Sequence, residues 1–64
     1  MQFQIDDMTC GSCVRHVNRA IVGIDPNAKI EADTVARRIS VATTADADAV
    51  IGALAADGYT ARLL

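Results

Sequence analysis

Apolar residues in this chain switch between a period of two and a period near 3.6. The order of those switches limits the fold more than any other feature. Gln2 to Asp6 alternates, with Phe3 and Ile5 on one face, which predicts a half-buried strand closed by Asp6-Asp7. Val14, Val17, Ile21 and Ile24 then recur at helical spacing and predict a helix over residues 12–22. Gly23 is expected as its C-cap and Ile24 as the apolar contact beyond it, while Pro26 forbids continuation. Ala28, Ile30 and Ala32 alternate against Lys29, Glu31 and Asp33, a second strand. A turn at Asp33-Thr34-Val35-Ala36 leads into a third strand from Arg38 to Thr43, with Ile39 and Val41 inward, so the pair is a hairpin. Arg37 and Arg38 are expected to solubilise it and to pair with the acids opposite.

Thr43 and Asp46 have capping-box-like spacing, and Asp46 and Asp48 suit the dipole at the start of a second helix. Ala47, Val50, Ile51 and Leu54 form its buried stripe, and Gly58 ends it. Thr60 to Leu64 is expected as the last strand, burying Ala61 and Leu63. The order is βαββαβ, an α+β arrangement of the ferredoxin-like, split-βαβ kind.

Sixty-four residues make one domain, near the lower limit for folding on a single core. A net charge of −2, with acids and bases interspersed, argues against nucleic acid, which needs a basic face. No apolar run is long enough to span a membrane, and Met1-Gln2-Phe3 opens directly into a strand pattern with no signal peptide. Two cysteines without a targeting segment fit a reducing cytosol.

Both cysteines lie in Met8-Thr9-Cys10-Gly11-Ser12-Cys13, where the first strand gives way to the first helix. Thiols three residues apart, one on a loop and one in a first helical turn, can converge on one ion. A helix N-terminus favours thiolate, and a thiolate pair suits a soft ion such as Cu(I). Gly11 lets the backbone bend between them. Rival readings remain. A disulfide staple belongs to scaffolds denser in cysteine. A thioredoxin-like redox centre shares the spacing, but this chain is shorter than that fold, and no Trp precedes the pair and no Pro divides it. Structural zinc needs two more ligands, and His16 is the other strong one.

The motif Met8-Thr9-Cys10-Gly11-Ser12-Cys13 resembles the Met-x-Cys-x-x-Cys of heavy-metal-associated domains, found in copper chaperones and at the amino termini of heavy-metal P-type ATPases. The likeness covers residues 1–64 and includes Ala32-Asp33 before the hairpin turn and Gly58-Tyr59 before the last strand. It implies the closed fold, a four-stranded antiparallel sheet with both helices on one face. It also implies that Met8 plugs the space under the loop rather than binding metal. In that fold Tyr59 lies beside Cys10 and Cys13, able to shield an ion and donate to a thiolate. Small bacterial chaperones tend to carry tyrosine there, and ATPase modules more often phenylalanine.

The resemblance therefore implies a cytoplasmic Cu(I) chaperone, a carrier and not an enzyme, with Cys10 and Cys13 as metal ligands. The implied partner is a copper-transporting P-type ATPase or a copper-responsive regulator, with a copper-bridged homodimer also open. A module cut from an ATPase, a carrier of zinc, cadmium, mercury or silver, and a thiol–disulfide oxidoreductase are the alternatives. Thr9, where zinc-handling relatives tend to place an aspartate, favours copper, and Asp7 is a poorer oxygen donor. His16, one turn beyond Cys13, would suit zinc or Cu(II) as a third ligand; a partly exposed residue near a docking surface is the plainer reading. Arg15 and Arg19 lie four apart and read as a solvated face, or together as a greeting for an acidic partner.

Overall fold

Three residues at the start of the chain organise the sheet in the computed structural model, which describes residues 1–9 and 11–64. They form β1 (Gln2–Gln4), followed by α1 (Gly11–Ile24), β2 (Lys29–Asp33), β3 (Arg38–Ala42), α2 (Ala47–Ala56) and β4 (Arg62–Leu63). On β1, Phe3 lies opposite Ile39 of β3 on one side and Leu63 of β4 on the other. The sheet order is β2-β3-β1-β4, and each neighbouring pair is antiparallel. This is the expected ferredoxin-like fold.

The period-two residues Phe3, Ile39 and Val41 are buried together with Val17 and Ile21 of α1 and Val50 and Leu54 of α2. The other sheet face is polar: Gln2 and Glu31 flank Ser40, and Gln4 and Asp33 flank Arg38. Arg38 donates through Nε to Gln4 Oε1 at 3.0 Å, and Arg37 through Nη1 to the Asp6 carbonyl at 3.4 Å. Among the described residues, neither arginine makes the expected ion pair with an acid. Arg62 does, at 3.4 Å from Asp6, because β4 lies on the other side of β1 from the hairpin.

Several boundaries differ from expectation, each for a local reason. β1 ends at Gln4, although the Ile5 N–H still donates in register to the Arg37 carbonyl at 2.8 Å; Arg37, with φ 57°, turns the opposite chain away from extended geometry there. Helix α1 runs through Gly23 to Ile24, and the Asp25 N–H still donates to the Ile21 carbonyl at 2.9 Å. Gly23 is thus helical and caps nothing; Pro26, fixed in φ and lacking an N–H, lies just beyond the end. Ile24 stays 42% exposed. The Thr43–Asp46 capping box does not form: Asp46 is the N-cap of α2 by backbone geometry, but its side chain makes no capping bond. Thr43 instead donates its hydroxyl to Asp25. Leu63 shares a face with Phe3 yet is 53% exposed at the sheet edge, whereas Ala61 is buried as expected.

Candidate metal centre

The segment between β1 and α1 is held by its apolar residues. Ile5 and Met8 are both fully buried, and the Met8 N–H donates to the Ile5 carbonyl at 3.0 Å, which places Asp6-Asp7 at the tip of a tight turn. Met8 thus fills the core beneath the loop, as a flexible thioether does well. A side chain packed there supports the loop from below, in keeping with the plug that the motif implied.

Helix α1 begins at Gly11, so Cys13 lies in its first turn, half-buried and packed against the core cluster. That turn holds no acidic residue. Cys10, the other expected ligand, lies outside the described residues. Among the described residues, no three His, Cys, Asp or Glu side chains converge on a metal position. Asp7, Cys13 and His16 therefore do not make a three-ligand site by themselves.

Tyr59 reaches this end of the molecule through the way α2 stops. Gly58 has φ 89°, its N–H donates to the Ala55 carbonyl at 3.0 Å, and the Tyr59 N–H donates to the Leu54 carbonyl at 2.8 Å. This pair of bonds is a Schellman motif, which needs a left-handed residue at the glycine position and packs the next side chain back on the helix. Tyr59 accordingly packs against the same core cluster as Cys13 and Val14. Its ring lies 6.5 Å from that of His16, one helical turn on from Cys13.

His16 turns toward α2. Its Nδ1 lies 3.8 Å from Asp57 Oδ2, with both side chains about half exposed. Two acids thus have roles that sequence reasoning missed. Asp57 faces His16 across the two helices, a pairing no local pattern announces. Asp7, read as a poor oxygen donor in a solvated turn, accepts the Thr60 N–H at 3.2 Å. Arg15 and Arg19 lie exposed on the outer face of α1.

Residues 2–60 match the heavy-metal-associated domain family. The chain belongs to that family. Two solved structures share both fold and appreciable sequence with this heavy-metal-associated domain. A gold binding protein is 40% identical, with a TM-score of 0.93 over 97% of this chain and 95% of its own. A protein of Agrobacterium tumefaciens is 35% identical, with a TM-score of 0.84 over 94% of each chain. The copper chaperone Atx1 from Synechocystis matches with a TM-score of 0.94 over 97% of this chain and 98% of its own, at 19% identity, a likeness of fold alone. Comparison with curated proteins gives no match. Among the described residues, no helix is long and apolar enough to cross a membrane.

Proposed function

We propose that this heavy-metal-associated domain carries one soft monovalent ion, Cu(I), between Cys10 and Cys13. The observation that carries the reading is Cys13 itself: half-buried in the first turn of α1, directly after a loop anchored by a fully buried Met8. A ligand in that position keeps one side open to a competing thiolate. Two thiolates satisfy a soft d10 ion in near-linear geometry, and the described residues offer no harder three-ligand set.

Transfer then proceeds by ligand exchange. An incoming thiolate of a partner's Cys-x-x-Cys bonds to the ion, a three-sulfur intermediate forms, and one of the original copper–sulfur bonds breaks. Oxidation state and proton count on the ion do not change, so the domain acts as a carrier rather than an enzyme. Partners of fitting chemistry are a copper-transporting P-type ATPase or a copper-responsive regulator, and two copies could share one ion between their cysteine pairs. A reducing cytoplasm would keep both sulfurs available.

A second cargo, Au(I), is favoured by the 40% identity to a gold binding protein. Gold(I) is also soft and two-coordinate, so the same sulfurs serve it. The test is an anaerobic titration of the reduced protein against a colorimetric Cu(I) chelator, with Zn(II) and Au(I) as competitors. One Cu(I) per chain, held more tightly than Zn(II) and lost in both Cys10→Ser and Cys13→Ser with the circular dichroism unchanged, is the expected result. Displacement of Cu(I) by equimolar Au(I) would make gold the cargo. Unchanged affinity in both serine variants would sink the site assignment.

A further inference from the structure

The N–H groups on either side of Tyr59's carbonyl have different acceptors. Tyr59's own goes to Leu54 and closes the cap of α2. The next, that of Thr60, precedes β4 at Arg62 and meets the Asp7 carboxylate instead of a strand partner. Asp7 lies in the turn that leads to the ligand loop, one residue before the buried Met8. Positions 7 and 60 are 53 residues apart, so this bond links the two connections that meet at the metal end.

We infer that Asp7 is a positioning residue, which holds the Tyr59 segment against the ligand loop so that the two open together. The cap on Gly58 restrains Tyr59 from the helix side, and the Asp7 bond restrains it from the strand side. With that bond made, the Tyr59 segment moves together with the turn at Asp7 when a thiolate enters on the open side. Without it, the Tyr59 segment loses its strand-side restraint. The consequence for metal exchange rests on the carrier reading, whereas the tether itself is a property of the metal-free protein.

Tyr59 is the sole tyrosine and the chain has no tryptophan, so intrinsic tyrosine emission reports on Tyr59 alone. Wild type, Asp7→Asn and Asp7→Ala are compared in the reduced, metal-free state by acrylamide quenching of that emission and by hydrogen exchange of the Thr60 amide. Each is then loaded with Cu(I), and capture by the colorimetric chelator is timed. Asp7→Ala should raise both Thr60 exchange and Tyr59 quenching and speed capture roughly three- to tenfold, the range that loss of one such bond allows. Asp7→Asn keeps an Oδ1 acceptor and should restore near wild-type behaviour in all three.

Wild-type quenching and amide exchange in Asp7→Ala would overturn the inference. So would Asn and Ala variants that behave alike, since charge and not the bond would then be at work. A wild-type protein that takes up no Cu(I) would defeat the carrier reading, while the metal-free measurements would still confirm or overturn the tether.

Discussion

The two ends of the sandwich are both closed by an aspartate, but they are built for different ends. At the end away from Cys13, Asp25 follows α1 directly and gathers three donors. Its Oδ1 accepts the Asn27 N–H at 3.1 Å, and its Oδ2 accepts the Thr43 hydroxyl and the Thr44 N–H at 3.4 Å. Thr43 Oγ1 in turn accepts the Ala45 N–H at 3.1 Å. One carboxylate thereby stitches the α1–β2 connection to the β3–α2 connection. These bonds, that of Thr43 foremost, hold the Asp25 carboxyl below the ordinary carboxylate range. At the cysteine end, Asp7 accepts one backbone N–H from across the gap, and the loop's main anchor is apolar, the buried Met8. A carboxylate saturated with donors makes a closed corner. A loop pinned by a buried thioether depends on apolar packing instead.

The largest effect should come from removing that pin. Met8→Ala should cost about 2–5 kcal/mol in denaturant unfolding of the metal-free protein, a large share of what so small a core can supply. A loss below that range would mean that the cysteine end does not depend on the core in the way its burial implies. Gly58→Ala comes next, at about 1–2 kcal/mol, the cost of a left-handed backbone for a residue with a Cβ. Among the described residues nothing lies within 4 Å of the added methyl, so the expected effect is backbone strain. Tyr59 emission should shift with it, because the cap places that ring; an unchanged spectrum would detach the ring from the cap.

At the closed end, Asp25→Asn tests the carboxylate through pH. A lowered folded pKa means that ionised Asp25 stabilises the fold fully above the unfolded carboxylate value of about 4. That contribution is lost as the pH falls through the lowered folded value. Wild type should therefore exceed the variant in thermal stability at neutral pH, and the two curves should converge in acid. Parallel curves down to the acid limit would remove Asp25 from its central place. The smallest effect is expected at Asp46→Ala, within about 0.5 kcal/mol, since no capping bond is lost. A cost near the usual cap value of about 1 kcal/mol would show that Asp46 caps α2 in solution.

Element type and order were legible in the chain because they follow from local pattern. Period-two runs around Phe3, Ile30 and Ile39 and the helical stripes through Val17–Ile21 and Val50–Leu54 depend only on neighbours in sequence. Gly58 as a helix end and Met8 as a core residue were readable as well. Where the reading failed, two candidate partners competed for one group. Thr43 had the spacing to cap α2, yet its hydroxyl serves Asp25, which lies 18 residues earlier. Leu63 had the right parity for the core, yet it ends up on an edge strand and stays half exposed.

The sequence by itself determined the βαββαβ order, the spacing of the cysteine pair on which the proposed function rests, and the glycine that stops α2 before Tyr59. Each of these rests on residues within a few positions of one another. Only the tertiary structure decided which aspartate serves which donor. Asp7 meets Thr60 across 53 positions, Asp25 meets Thr43 across 18, and Asp57 meets His16 between two helices. Carboxylates at chain turns look alike in sequence, because each satisfies its oxygens with whatever N–H or O–H the fold brings within reach.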